Sequence, residues 1–528
     1  MNTHLNKIMP MVPAHFGERL HPPLQTGVID IGAHTVRLDI YEINRQWQLE
    51  KLESMSRPFN LGVDVFRNGF VDVENISKLV GVVELYRRKI AEYGSNEYRI
   101  IATSAVRESF NKELIVDRFR EAGMKLEILE GATEATLSYL AVRDTLPGKF
   151  SSAMDNAVML IMGSGSLFVI GISGGLMQFC EELPTGTMRI SDSVSSSEQP
   201  LQQLRDALKS LRILRRLEEG MKLKSNTPLS LILVGNSARK LAALDDSAPR
   251  RENEWVSLDA KKFSRTMEEC ENSNRKLLKK MEPDEADELS AAAVIVRHFS
   301  NNLNCKDIFC SGMTTRGAVL RDWVRSCRIP GIEPFRADLA AVCGAIGRKY
   351  DFDPEHAANV AAISSLFFSK LRSFFSFPEH SGLLLEAASY LHDIGRFIEA
   401  KRHHRHSWYL ITHTKLPGLT ASEQRIVAAA VRYHGRTMPR ESHPEYAALS
   451  SDEKVAVVKL AAILRVADAL DLRCGGEFPP VKLMLRGRVL TICSDLPELN
   501  SRKYSLKGKD GLFEQVFGLE IKIQGSEI

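Results

Sequence analysis

Twice along this chain an apolar strand runs into a turn of small residues and out again into a second strand. Val28–Ile31 leads into Gly32-Ala33-His34-Thr35 and an alternating segment that ends near Ile43; Ala157–Met162 leads into Gly163-Ser164-Gly165-Ser166 and on toward Cys180. Small residues let backbone N–H groups approach an anion closely, and the first strand ends in Asp30, which sets a carboxylate beside them. Each round continues as strands alternating with helical patterns. In the first, Tyr98–Ala102 precedes Ser104–Phe119 and Lys125–Leu129 precedes Ala132–Val142. In the second, Leu201–Met221 and Arg316–Val324 read as helices around the strands Leu229–Val234 and Ile308–Cys310. The alternation predicts α/β lobes, and its recurrence predicts a duplicated unit.

The segment Ala157–Cys180 carries no charge, yet its five glycines and three serines break it into strand-length pieces, so it is not read as a membrane span. At 528 residues the chain is long enough for several domains with large cores. A net charge of +4 excludes a nucleic-acid coat and requires local clusters to grip any anion. Eight scattered cysteines, none spaced C-x-x-C, fit reduced thiols in a cytoplasm.

Residues 1–25 read as a loose tail, 26–142 as a first lobe and 143–330 as a second. Pro330-Gly331-Ile332-Glu333-Pro334 reads as a linker. After it the texture becomes helical over 331–476, with Asp338–Arg348, Pro354–Phe375, Ser381–His392, Ser422–Tyr433 and Ser451–Leu472 as helices. Alternation returns in a small β-rich or α/β tail, 477–528.

Two more segments of the first lobe follow strands and open helices: Thr103-Ser104-Ala105-Val106-Arg107 and Gly131-Ala132-Thr133-Glu134-Ala135. A helix N-terminus favours anions. Arg107 can fork onto a phosphate and Glu134 can hold or deprotonate a water. The plainer readings are a surface ion pair for Arg107 and a favourable first-turn acid for Glu134.

These segments resemble the exopolyphosphatase/guanosine pentaphosphate phosphohydrolase (Ppx/GppA) family. Val28-Ile29-Asp30-Ile31-Gly32-Ala33-His34-Thr35-Val36-Arg37-Leu38 resembles its DIGSNSxRL motif, and Ala102-Thr103-Ser104-Ala105-Val106-Arg107-Glu108-Ser109-Phe110-Asn111 its ATSAVRDAxN. Ile128–Ala135 resembles ISGxEEA and Leu183-Pro184-Thr185-Gly186 resembles LPLG; Val234–Arg239 and Ser311 with Arg316-Gly317 fit weaker motifs. The resemblance implies two actin-like lobes (the sugar kinase, heat-shock chaperone and actin class, ribonuclease H-like) around a cleft that hydrolyses a terminal phosphate with Mg²⁺. It implies Glu134 as the catalytic glutamate, Arg107 as a phosphate-binding arginine, Asp30 and Glu134 as the cation's ligands, and a homodimer. The substrate would meet Gly32, Ala33, His34, Thr35, Thr103, Gly163, Ser164, Gly165, Ser166 and Gly235.

The chain departs from that pattern at three acids. The family's second motif, DIGGGSxEL, here has Ile161 and Phe168 at its acidic positions, and Thr133 replaces the first acid of the EEA triplet. With fewer carboxylates, affinity for the cation is expected to fall.

Nine of the 14 histidines fall between His356 and His443. His392-Asp393 ends an apolar helix, with His356 on an earlier helix and Asp468 on a later one. This ordered set resembles the metal-dependent HD phosphohydrolase domain, an all-helical fold in which imidazoles and carboxylates hold one or two divalent metals. His404 and His434 stand where two-metal members add ligands, and Mn²⁺ or another divalent metal would suit them. The alternative is a scaffold that keeps HD-like sequence. Lys401, Arg402 and Arg405 form a basic run suited to a polyanion.

The expected function is release of terminal phosphate from inorganic polyphosphate or guanosine pentaphosphate, with neither nucleic acid nor membrane as partner. Two alternatives stay open: an HD-type nucleotide hydrolase, or a regulator that binds polyphosphate or guanosine penta/tetraphosphate in an impaired cleft.

Overall fold

The computed structural model describes residues 22–186, 200–221, 227–245, 248–271, 276–279, 281–303, 305–328, 334–471, 481–494 and 506–525. The tail expected over 1–25 falls almost wholly outside them, as do most of the linker and the boundary expected at 476/477. The chain folds as two compact units that part between Ile332 and Glu333.

The first unit holds two mixed sheets. One contains β1 (Leu24–Ile31), β2 (Thr35–Ile43), β3 (Leu49–Pro58), β4 (Tyr98–Ala102) and β5 (Leu126–Ile128), in the order β3-β2-β1-β4-β5. The other contains β6 (Asn156–Met162), β7 (Leu167–Ser173), β8 (Leu176–Leu183), β9 (Leu229–Val234), β10 (Trp255–Leu258) and β11 (Cys305–Ser311), in the order β10-β11-β9-β6-β7-β8. Three antiparallel strands open each sheet, and two parallel ones extend it from the first strand: β4 and β5 in one, β9 and β11 in the other. The second sheet is the first repeated, plus β10 on its edge. The duplication expected from the two turns is therefore present in the strand order.

The two turns also close alike. Gly32 N–H donates to the Thr35 carbonyl at 3.1 Å, and Gly163 N–H donates to the Ser166 carbonyl at 3.0 Å. Burial holds the frame. Helices Val73–Glu92 and Lys112–Glu121 press Leu79, Val83, Ile90, Ile115 and Phe119 onto Ile29, Val36 and Leu38. In the second lobe, helix Pro283–Asn302 contributes Leu289, Ile295 and Phe299 to the core with Val158, Leu160 and Leu231.

Two expected helices are broken. Ser104–Phe119 divides into Ser104–Glu108 and Lys112–Glu121, because Asn111 turns its side chain to the backbone of Val71. Leu201–Met221 divides at Arg212, which adopts φ 49°.

The second unit is built on helices Arg336–Lys349, Pro354–Leu371, Ser381–Leu391, His403–Thr412, Ala421–Arg432 and Ser451–Leu470. Capping boxes start two of them, Thr420 with Glu423 and Ser450 with Glu453. The small sheet β12 (Lys482–Arg486), β13 (Val489–Ser494) and β14 (Glu520–Gly525) comes with helix Gly511–Phe517. That helix docks Phe513 on Phe367 and Phe517 on Phe375, so the tail shares the helical core. No helix among the described residues is long and apolar enough to cross a membrane.

Candidate functional site

The two equivalent turns face one cleft of the first unit, about 330 Å³ in volume. Every substrate-binding residue expected in the lobes lines it: Gly32–Thr35, Thr103, Gly163–Ser166 and Gly235, together with Asp30 and Glu134. Position follows from local structure. Asp30 is the penultimate residue of β1, and Glu134 lies in the first turn of helix Gly131–Asp144. Gly235, at φ 112°, lets the chain leave β9 with its backbone against Met162.

The acids are poorly compensated. Burial pushes the Glu134 carboxyl up to about 7; Arg107 pulls it down, while Asp30 and Glu182 push it further up. Asp30 is also raised by burial, against the pull of Arg316 and Arg37. Its Oδ2 accepts from Arg316 Nη1 at 3.2 Å, and its Oδ1 is buried with no hydrogen-bond partner. Arg316 in turn donates to Asp39 at 2.7 Å. Burial alone would raise Asp39, but Arg316 and Lys51 hold it down at about 2.

Arg107 is not where a phosphate-binding residue was expected. It does not line the cleft. Its Nη1 donates to the Leu129 carbonyl at 2.7 Å and to Glu134 at 3.2 Å, and its Nη2 donates to Glu182 at 2.6 Å. Among the described residues, the arginines that reach the cleft are Arg37, Arg239 and Arg316, and Arg239 Nε is buried without a hydrogen-bond partner. Ile161 and Phe168 do line the cleft, at 6% and 2% exposure, so two of the three departures fall on its wall. Thr133 is buried and does not line it. Sequence reading missed Glu182, whose only signal was its place just before Leu183-Pro184-Thr185-Gly186.

The helical unit gathers a second constellation. His356 Nε2 lies 3.0 Å from His392 Nε2 and 3.6 Å from both Asp393 Oδ2 and Asp468 Oδ1. His403 Nε2 lies 3.1 Å from His434 Nε2 and 3.1 Å from Asp393 Oδ1. Asp393 thus joins two groups with metal-ligand spacing, His356/His392/Asp393 and Asp393/His403/His434. The opposite ring nitrogens are all anchored. Nδ1 of His392, His403 and His434 meets the carbonyls of Ser389, Ala400 and Val431, and Nδ1 of His356 meets Asp471 at 2.7 Å. Carbonyls only accept, so these contacts fix the tautomer and turn the Nε2 lone pairs inward.

Supports surround the cluster. Asp353 caps helix Pro354–Leu371 by accepting from the His356 N–H, and buried Arg465 donates to the carbonyls of Tyr433 and Thr437 around His434. Lys509 pairs with Asp468, and with His392 it overcomes the effect of burial to hold that carboxyl at about 2. His404 was expected in the set, but His403 takes its place. The His404 ring lies against Gly435, where burial and Arg432 lower it to about 4. Lys401, Arg402 and Arg405 are exposed around the start of helix His403–Thr412.

The Ppx/GppA phosphatase family model matches residues 40–327, and that for Ppx/GppA phosphatase domain III matches residues 341–486. Exopolyphosphatase 1 of Mycobacterium tuberculosis is 25% identical over 228 residues, which is 43% of this chain and 65% of that protein. The alignment therefore spans less than two thirds of that relative's length. Guanosine-5'-triphosphate,3'-diphosphate pyrophosphatase of Photobacterium profundum is 21% identical over 475 residues, 88% of this chain and 90% of that protein. A solved exopolyphosphatase structure from Cytophaga hutchinsonii covers 57% of this chain and 98% of its own, at 19% identity and a TM-score of 0.49.

Proposed function

Because the chain belongs to the Ppx/GppA phosphatase family, we propose that it releases terminal phosphate from inorganic polyphosphate or guanosine pentaphosphate in the cleft between its two α/β lobes. We read the duplicated sheets as the actin-like pair of lobes. The observation that carries the proposal is the Asp30 and Glu134 pair standing between two turns closed by the same hydrogen bond.

With the Gly32 and Gly163 N–H groups spent on closing the turns, the terminal phosphoryl group would accept from the N–H groups of Ala33–Thr35 and Ser164–Ser166. Arg37 and Arg239 would meet its charge in the water-poor cleft, where each contact counts for more than in bulk solvent. Glu134, titrating near 7, is poised to take a proton from the attacking water. Arg107 orients Glu134 from behind instead of touching the phosphate. The orphaned Oδ1 of Asp30 and the raised Glu134 carboxyl fit a divalent cation, Mg²⁺ or Mn²⁺, with Asp30 and Glu134 as its protein ligands. Such a cation would screen the phosphoryl charge and acidify water. A cytoplasmic homodimer accompanies this reading.

The convergent Nε2 atoms favour a second reading for the helical unit, an HD-type metal centre held by His356, His392, Asp393, His403, His434 and Asp468. One experiment separates the two: phosphate release from polyphosphate and from guanosine pentaphosphate, with Mg²⁺ and with Mn²⁺. If the cleft does the chemistry, Glu134→Gln should cost roughly a hundredfold or more while substrate still binds. Full activity in Glu134→Gln, together with loss in His392→Ala/Asp393→Ala, would move the chemistry to the helical unit.

A further inference from the structure

The register of β7 on β8 pairs Phe168 directly with Glu182. Cross-strand partners project to the same face of a sheet. The strand neighbouring Phe168 therefore carries a carboxylate on the same face of the sheet, behind the lining of the cleft. Two hydrogen bonds hold it there. Glu182 Oε1 accepts from Ser166 of the second turn at 3.0 Å and from Arg107 of the first lobe at 2.6 Å. The carboxylate also lies over the first residue of helix Gly131–Asp144, where a Cβ added at Gly131 would fall 2.2 Å from Oε2.

Glu182 is thus tied to both lobes at once. On one side it holds a hydroxyl of the phosphate turn, and on the other the guanidinium bonded to Glu134. We infer that Glu182 is a positioning residue, an interlobe carboxylate that holds Arg107, and through it Glu134, in working register with Ser166 and the second turn. The inference rests on the cleft being the hydrolytic site. Without Glu182, Arg107 would keep Glu134 and the Leu129 carbonyl as partners but lose its tie to the second lobe. A small misplacement of a catalytic group is enough to cost one to two orders of magnitude in turnover.

The test compares the full-length protein with Glu182→Ala and Glu182→Gln by two measurements. The first is the rate at which phenylglyoxal modifies Arg107, read by peptide mass spectrometry. Glu182→Ala should expose Arg107 to modification several-fold faster, and Glu182→Gln, whose amide oxygen accepts the same two bonds, should protect it. The second is steady-state phosphate release from short-chain polyphosphate. Glu182→Ala should lower kcat by about tenfold or more with KM within about twofold, and Glu182→Gln should recover most of the loss.

Equal Arg107 labelling in the wild type and Glu182→Ala overturns the inference. So does an unchanged kcat, or a Gln variant as damaged as the Ala variant at the same melting temperature. Glu182→Ser replaces the Ala variant if that one melts early. Failure of the cleft reading looks different: Glu134→Gln then keeps full activity, while the labelling still reports whether Glu182 holds Arg107.

Discussion

His403 and His434 aim their Nε2 atoms at one another across 3.1 Å, while each commits its Nδ1 to a backbone carbonyl. Burial, with His392 and His403 nearby, pushes the His434 imidazole down to about 3, so it is neutral at physiological pH. The pair is then satisfied either by a second proton on His403 or by a cation between the rings. A cation is the expectation, because Asp393 Oδ1 joins them at 3.1 Å from His403. Protein purified without chelator should carry tightly held transition metal, measured by inductively coupled plasma mass spectrometry. His392→Ala/Asp393→Ala should lose it. A metal-free wild type after incubation with Mn²⁺ or Zn²⁺ would leave the cluster as a charged hydrogen-bond network.

Ile161 lines the cleft at the end of β6, equivalent to Asp30 near the end of β1. Ile161→Asp should therefore lower the Mg²⁺ concentration needed for half-maximal phosphate release. In the absence of cation the new carboxylate is a buried unpaired charge, and the melting temperature should fall. An unchanged Mg²⁺ requirement in a folded variant would show that position 161 does not face the cation.

Replacing Lys401, Arg402 and Arg405 with Ala removes three exposed cations from the start of helix His403–Thr412. Binding of long polyphosphate should weaken and its salt dependence should flatten, since such contacts are screened over about 10 Å at moderate ionic strength. Short chains should lose less. Equal losses for long and short chains, measured by titration at two salt concentrations, would show that this basic run does not grip the polymer.

Asp39 gives a pH-dependent prediction for stability. Its carboxyl is fully buried, and Arg316 and Lys51 hold it at about 2, against an ordinary 3.8. A depressed carboxylate stabilises the fold above its unfolded value and loses that contribution as pH falls through the folded one. The difference corresponds to about 2 kcal/mol at neutral pH. Urea unfolding should show Asp39→Asn less stable than wild type at pH 7 by at least that amount, with the gap narrowing between pH 4 and pH 2. A gap independent of pH would mean that shape, not charge, is what Asn fails to supply.

The parts of this fold that were legible in the sequence are those written by neighbours in the chain. Strand, small-residue turn and strand are local, and they located both halves of the cleft. What escaped depends on distant partners. Asn111 breaks a helix because its side-chain amide accepts from the N–H and donates to the carbonyl of Val71, forty residues away. The edge strand β3 alternates little and is largely exposed, so no apolar period marks it. Glu182 reaches Arg107 and Ser166 through strand pairing, and a run of residues carries no sign of its register. The exchange of His403 for His404 has a finer cause. Adjacent helix positions point about 100° apart, so which of two neighbouring histidines faces inward depends on where the helix begins. Arg402, at φ 59°, sets that start one residue before His403.

Among the described residues, the cleft wall carries three carboxylates, Asp30, Glu134 and Glu288, against three guanidiniums, Arg37, Arg239 and Arg316. Acids at 161 and 168 would have made that tally two units negative, and an incoming polyanion would have needed cations to cross the resulting barrier. With Ile161 and Phe168 in their place, carboxylates and guanidiniums stand three against three, and an anion meets no excess of acidic side chains there. On the function proposed above, admission of the anion would then not depend on a bound cation, and the ion's arrival, rather than the substrate's, would be the event that starts turnover.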